Sequence, residues 1–264
     1  MVKYKSWGKR GQRLSSRGFR VMVDPGHGIY WNGKRWIYQR PCCRIEGGRV
    51  ICKGADIYTP GYIEDEGVMF VAYRLIKRLI REGVVVYTTR AIDLKTGELD
   101  RRKSDFIPGK ERWQEGALLY LYKTMGWSPK GGYRRDLRIR WRYENEVSSH
   151  LPIDSCQLIY VSIHTNAGGG YGTETYTSGS SKSRRLATLI HKNLLESIRT
   201  KFPEWREHGK NPRKGNFAVL KYTLSPAVLI ELGFHDSTDL RYLIDDEWRE
   251  LAAQGIFEGI MRYF

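Results

Sequence analysis

Apolar residues recur along the chain in two rhythms. Short, nearly unbroken apolar runs predict buried strands at Phe19 to Val23, Val84 to Thr88, Leu158 to Ile163, Thr173 to Tyr176 and Ala227 to Ile230. Between them the spacing changes to three and four. Val68, Val71, Ala72, Leu75, Ile76, Leu79 and Ile80 line one face of a helix over residues 65–82, and Gly83 behind them is its stop. Leu186, Leu189, Ile190, Leu194 and Ile198 predict a second helix. Leu240, Leu243, Ile244, Trp248, Leu251 and Ile256 predict one or two more near the end. Strands that alternate with helices imply an α/β fold, a single domain on a largely parallel twisted sheet flanked by helices.

Two stretches break the alternation. Residues 30–62 hold paired aromatics, glycines and three of the four cysteines, and residues 91–137 mix Gly, Pro and charge around a short apolar piece, Ala117 to Tyr122. Both read as long insertions into a domain spanning 19–264, and loops of that length inside a compact domain are usually lids, binding loops or small subdomains. Residues 1–18 form a basic segment ahead of the domain, expected to be flexible.

Composition and charge narrow the possibilities. With 264 residues, 41% of them hydrophobic, the chain can bury a sizeable core, and no run approaches the roughly 18 apolar residues of a membrane helix. The formal charge of +16 points to a polyanionic partner, of which nucleic acid, an anionic membrane and a wall polymer are the classes. The charge is concentrated in the first twenty residues, which hold seven Lys or Arg and no acid, and in the Arg-rich stretch 95–142. Neither stretch carries a nucleic-acid-binding motif, so no nucleic acid is expected. The amino terminus has no apolar core of the kind a secretory signal needs. Cys42, Cys43, Cys52 and Cys156 lack C-x-x-C spacing and read most simply as free thiols.

The chemistry gathers where strands end, because ligands of parallel α/β sheets bind outside the carboxyl ends of the strands. The first strand runs into V-D-P-G-H-G, which carries His27 on a tight bend between two glycines. His164, in V-S-I-H-T-N-A, ends the strand from Leu158, and Glu231, in V-L-I-E-L-G-F, ends the strand from Ala227. Glu64, Asp65 and Glu66 stand together where the first helix opens. Two histidines and a carboxylate, with water in the fourth position, make a common catalytic zinc set, and a further carboxylate can act as general base.

These motifs, in this order over residues 19–264, resemble the zinc-dependent N-acetylmuramoyl-L-alanine amidases of the Amidase_3 type, which include phage endolysins and bacterial cell-wall hydrolases. The resemblance implies that His27 and His164 hold zinc and that Glu231, in A-V-L-I-E-L-G-F-H-D-S, is the catalytic glutamate. It also singles out Glu64 as the remaining ligand, since the family places a glutamate ahead of an apolar helix that ends in glycine, a strand and Thr-Arg, here Thr89-Arg90. Asp65 and Glu66 are then ordinary acids of the first helical turn, favoured by the helix dipole. The stretch from Arg140 to Asn145 resembles the family too, as a packing feature. The insertions bear on substrate choice and leave the metal set untouched.

What the resemblance implies is a peptidoglycan hydrolase, expected as a monomer, that cuts the amide between N-acetylmuramic acid and L-alanine with one zinc per chain. It would be drawn to anionic wall polymers by its basic surface. The absence of a signal suits a phage endolysin made in the host bacterial cytoplasm and released to the wall through a holin. Alternatives are a host-encoded wall amidase, a related zinc carboxypeptidase, and an inactive wall-binding or nucleic-acid-binding protein on the same fold. His150, His191, His208 and His235 read as surface or structural residues, with His235 close enough to Glu231 in sequence to watch. Trp31, Trp36, Tyr38 and Tyr58 suit a small packed β-structure at least as well as sugar stacking.

Overall fold

A computed structural model of the chain describes residues 18–54, 56–128, 130–151 and 157–264. The basic segment before Gly18 and Cys156 lie outside the described residues. The first strand, β1 (Phe19–Pro25), is buried at all but one position, as its apolar run requires. The first excursion follows as small antiparallel pieces: β2 (Tyr30–Trp31), β3 (Trp36–Ile37), β4 (Cys42–Glu46), β5 (Arg49–Lys53) and β6 (Tyr62–Ile63). Helix α1 (Glu64–Arg81) then buries Val68, Val71, Ala72, Leu75, Ile76 and Leu79, the face its spacing predicts.

After β7 (Val85–Thr88) the second excursion contributes β8 (Ile92–Asp93), β9 (Glu98–Leu99), α2 (Ala117–Met125) and α3 (Tyr133–Ser149). The predicted boundary at residue 137 therefore falls inside α3. That helix escaped the sequence reading because its pattern is dominated by arginines, with few apolar residues to mark a face. The second half holds β10 (Gln157–Asn166), β11 (Glu174–Thr177), α4 (Ser181–Arg199), β12 (Arg213–Lys214), α5 (Ala218–Lys221), β13 (Ala227–Phe234), α6 (Leu240–Leu243) and α7 (Asp246–Tyr263). Ser180 caps α4 by accepting from the Ser183 amide, and Asp245 caps α7 by accepting from the Trp248 amide.

The central sheet has the order β12-β11-β13-β10-β1-β7. Strands β7, β1, β10 and β13 run parallel; β11 is antiparallel to β13, and β12 at the edge runs parallel to β11. Helices α1, α4 and α7 cover one face in a single apolar cluster that takes in Val21, Val161, Val228 and Trp248, while Met22, Tyr160 and Leu229 face a second cluster with Val219 and Leu220. The largely parallel α/β expectation is thus what the chain adopts. Among the described residues no helix is long and apolar enough to cross a membrane.

The cysteine expectation needs correction. Cys43 and Cys52 form a disulfide, while Cys42 is a buried free thiol. The hairpin register explains the pairing: Gly47-Gly48 make the turn, so residues 43 and 52 stand directly opposite on β4 and β5. A search for C-x-x-C spacing cannot see a pair defined by hairpin symmetry.

Candidate metal centre

The bend after β1 is held from below. His27 has a left-handed backbone, φ 57°, unusual for a residue with a side chain. Three successive carbonyls of the bend are bonded to buried arginines: Arg140 donates to those of Pro25 (2.8 Å) and His27, and Arg90 to that of Gly26 (2.8 Å). Gly26 is required by proximity, since a Cβ there would stand 2.3 Å from the His164 ring. The glycine before His27 therefore lets two histidine-bearing strands approach.

Three side-chain atoms meet above this bend. His27 Nε2 lies 3.3 Å from Glu64 Oε1, His164 Nδ1 lies 3.0 Å from the same oxygen, and the two nitrogens are 3.2 Å apart. Donors about 2.0–2.1 Å from a common zinc ion would be roughly 3.3 Å from one another in a tetrahedron, so these spacings fit. His27 and Glu64 are buried and His164 nearly so. Among the described residues this is the one group of three or more His, Cys, Asp and Glu side chains able to hold a metal.

The proton positions fit as well. Gln39 Nε2 donates to Asp136 Oδ2 (3.0 Å), which turns its carbonyl oxygen toward His27 Nδ1 at 2.9 Å. That nitrogen must carry the hydrogen, leaving Nε2 bare toward the centre. Ser162 gives its hydroxyl hydrogen to Asp24 Oδ2 (2.7 Å) and so accepts from His164 Nε2 (3.1 Å), leaving Nδ1 as the inward atom. Two imidazole nitrogens and a carboxylate oxygen thus face one another and call for positive charge between them. Burial works to raise the Glu64 carboxyl, but His27 and His164 hold it well below its usual value; burial works to lower His164, but Glu64 raises it. Arg40 Nε, at 3.2 Å from both His27 Nε2 and Glu64 Oε2, adds charge at the rim.

Glu231 stands beside this group. It is directly opposite His164 in the pairing of β13 with β10, and opposite Glu174 in the pairing with β11. Its Oε2 is buried with no hydrogen-bond partner among the described residues. Burial pushes its carboxyl up to about 8, although His164 pulls it down and Glu64 adds to the rise. A nearly dry, unpartnered carboxyl at the edge of a candidate metal centre is suited to taking and giving a proton.

Two readings of the sequence change here. Asp65 and Glu66 are not ordinary first-turn acids. Asp65 is fully buried and accepts from the amides of Gly28 (2.9 Å), Gln39 (2.7 Å) and Arg40 (3.0 Å), while Glu66 accepts from Tyr38 and Gln114. The first excursion does touch the candidate metal set, through Gln39 and Arg40, which no apolar pattern or spacing could have marked. Arg140, read as a packing residue, is buried between Asp24 (2.6 Å) and Asp136 (2.9 Å) beneath the centre.

The other histidines lie apart from the three-residue group. His235 contacts Thr165 Oγ1 (3.0 Å), His191 bridges Thr175 and Glu207, His208 faces the Tyr171 carbonyl and His150 the Glu146 carbonyl. In the first excursion Trp31 packs edge-on against Trp36 and Tyr38 is buried, while Tyr58 is 77% exposed.

Residues 142–262 match a family described as Amidase_3, N-acetylmuramoyl-L-alanine amidase; His164 and Glu231 fall inside that stretch and His27 and Glu64 before it. Over 118 residues the chain is 39% identical to an uncharacterized cell wall amidase of Bacillus anthracis, covering 40% of this chain and 21% of that protein. It is 32% identical over 108 residues to an endolysin of Bacillus phage SPP1, covering 39% of this chain and 38% of that one. The chain thus spans about a fifth and about two fifths of these two relatives. The crystal structure of an N-acetylmuramoyl-L-alanine amidase from Clostridium difficile 630 shares the fold over 93% of this chain and 96% of its own, with a TM-score of 0.56 at 20% identity. Residues 142–262 are thus similar to the Amidase_3 family, and the chain as a whole shares the α/β fold of the Clostridium difficile amidase.

Proposed function

We propose that this chain is a zinc-dependent amidase that hydrolyses the bond between N-acetylmuramic acid and the first L-alanine of the peptidoglycan stem. The observation that carries the reading is the convergence of His27 Nε2, Glu64 Oε1 and His164 Nδ1 at 3.0–3.3 Å, with Glu231 opposite His164 across the sheet. Zinc held by these three residues would supply Lewis-acid chemistry, acidifying a water and polarising the scissile carbonyl. Glu231 takes the proton of the attacking water and returns it to the departing alanine nitrogen, so the amine leaves neutral. Gln39 and Ser162 keep the two imidazoles turned inward throughout. No covalent intermediate with the protein is needed, and the products are an intact glycan and a stem peptide with a free L-alanine amine.

Digestion of purified peptidoglycan followed by mass spectrometry tests this. New L-alanine amino termini are the expected result. New reducing sugar ends, or release of a terminal residue from the stem, would overturn it in favour of a glycosidase or a carboxypeptidase.

Within that activity we assign the chain to lysis by a phage, on its likeness to the SPP1 endolysin; the likeness to the Bacillus anthracis amidase favours a bacterial wall enzyme instead. An endolysin is made late in a lytic cycle and reaches the wall through a holin. Steady synthesis in uninfected growing cells would rule that assignment out and leave the amidase reading intact.

A further inference from the structure

We propose that the Gln39–Arg40 dipeptide of the first excursion belongs to the metal centre, Gln39 as the positioning residue of His27 and Arg40 as that of Glu64. The inference rests on His27, Glu64 and His164 being the metal-holding set. It assigns to the excursion a task that neither the fold nor the shared motifs require of it.

A histidine side chain rotates freely unless something holds it. An imidazole can present either nitrogen, in either tautomer, and only one combination places a lone pair at the centre. Gln39 removes that freedom. Its amide is oriented by Asp136, which is itself fixed by Arg140 and by the Leu118 amide (2.9 Å). With its nitrogen committed to that carboxylate, only the Gln39 oxygen remains for His27 Nδ1. Partners of this kind, behind the ligating nitrogen, fix tautomer and ring angle in metal sites.

Arg40 acts on the carboxylate from the rim, where its Nε also reaches His27 Nε2 at 3.2 Å and has to yield that nitrogen to an ion while keeping Glu64. Glu64 Oε1 faces the two histidines and also accepts from the Thr165 amide (3.0 Å), while Oε2 receives Arg40 Nε at 3.2 Å. The two oxygens are thereby given different tasks, one inward and one tied to the rim. The dipeptide is not loosely placed, because Asp65 binds the amides of both Gln39 and Arg40 together with that of Gly28. One carboxylate, next in sequence to Glu64, therefore locks the excursion to the neighbour of His27.

The test uses the full chain, stripped of metal with a chelator and titrated with zinc ion against a chromophoric competitor. Gln39→Met has similar length and no acceptor, and should weaken zinc binding roughly 10- to 100-fold. Tyr58→Ala, exposed on the same excursion, should bind zinc as the parent does, and Glu64→Ala should lose tight binding. Nitrogen-15 spectra of labelled histidine add a readout that a merely structural role would not move. In the metal-stripped parent His27 should carry its proton on Nδ1, and in Gln39→Met a population with the proton on Nε2 should appear. Arg40→Met, at a half-buried side chain on the rim, gives the same affinity test for Glu64. Parent-like zinc affinity in both Gln39→Met and Arg40→Met, while Glu64→Ala fails to bind, would overturn the proposal and leave the metal set standing. Parent-like affinity in Glu64→Ala would sink the metal reading itself, and this inference with it.

Discussion

Glu64 and Glu231 end in the same small space, and changes of a few atoms separate their proposed tasks. Glu231→Gln keeps shape and hydrogen-bonding capacity but cannot accept a proton, so it should fold and retain about one zinc per chain. Its turnover should fall roughly 10²- to 10⁴-fold. Metal content and rate, measured on one preparation, check this: loss of both together would make Glu231 a ligand or a structural residue. Near-normal turnover would place the base elsewhere. Arg140 invites a second substitution. It is buried between two carboxylates and holds the carbonyls of Pro25 and His27. Arg140→Met should therefore cost about 3–5 kcal/mol, the usual result of leaving buried partners unpaired. The same cluster sets an acid limit. Burial alone would raise the Asp24 carboxyl, but Arg140, His164 and the Thr89 hydroxyl hold it well below the ordinary range. A carboxyl whose folded pKa is depressed contributes stability that is complete above its unfolded value near 3.9 and is lost as pH falls toward the folded one. Urea unfolding at pH 6 and at pH 3 should show that loss. Asp24→Asn should lower stability at pH 6 and flatten the slope below pH 4; an unchanged slope would move the acid sensitivity to another group.

Helices α4 and α7 meet through small residues. A Cβ on Gly255 would stand 2.5 Å from Leu194 Cα, and one on Gly259 would stand 2.5 Å from Ile190 Cα. The backbones are in contact there, and no rotamer change makes room. Gly259→Val should destabilise the fold by about 1–3 kcal/mol through overpacking, read as a lower denaturant midpoint, whereas the same change at exposed Gly54 should do little. Elements of this kind were legible in the sequence to very different degrees. The strands ending at Pro25 and Asn166 and helix α1 announce themselves because burial on one or both faces forces an apolar pattern. Those elements deliver His27, His164 and Glu64, and the strand ending at Phe234 delivers Glu231. Helix α3 gave no such signal, since its inward residues include Asp136, Arg140 and Glu144, whose burial depends on partners distant in sequence. Gln39 was invisible for the same reason: its meaning lies in His27, twelve residues back, and Asp136, ninety-seven ahead. The Cys43–Cys52 pair is intermediate, recoverable by anyone who first recognises the Gly47-Gly48 hairpin.

At the scale of the molecule, charge is the first consequence. The net charge of +16 motivates the proposal that long-range attraction draws the chain to anionic wall polymers. Such attraction is screened beyond about 8 Å at physiological salt. Lysis of whole walls should therefore slow as salt rises while cleavage of a small soluble muropeptide changes little, and equal salt dependence for both would reject the idea. The second consequence comes from the strand order. In β12-β11-β13-β10-β1-β7 all strands of the second half lie on one side and β1 and β7 on the other, so the sheet has a seam between β10 and β1. His27 and Glu64 belong to one side of that seam and His164 to the other. An ion gripped by all three would work as a rivet through two plates: it would hold the folded chain together as well as do chemistry. Zinc in hundredfold excess over its dissociation constant should raise stability by about 2.7 kcal/mol, visible as a higher melting temperature that Glu64→Ala no longer shows. Cut between residues 151 and 157, the chain would become two pieces that neither close the sheet nor complete the centre alone, and zinc would be the agent that favours their reunion.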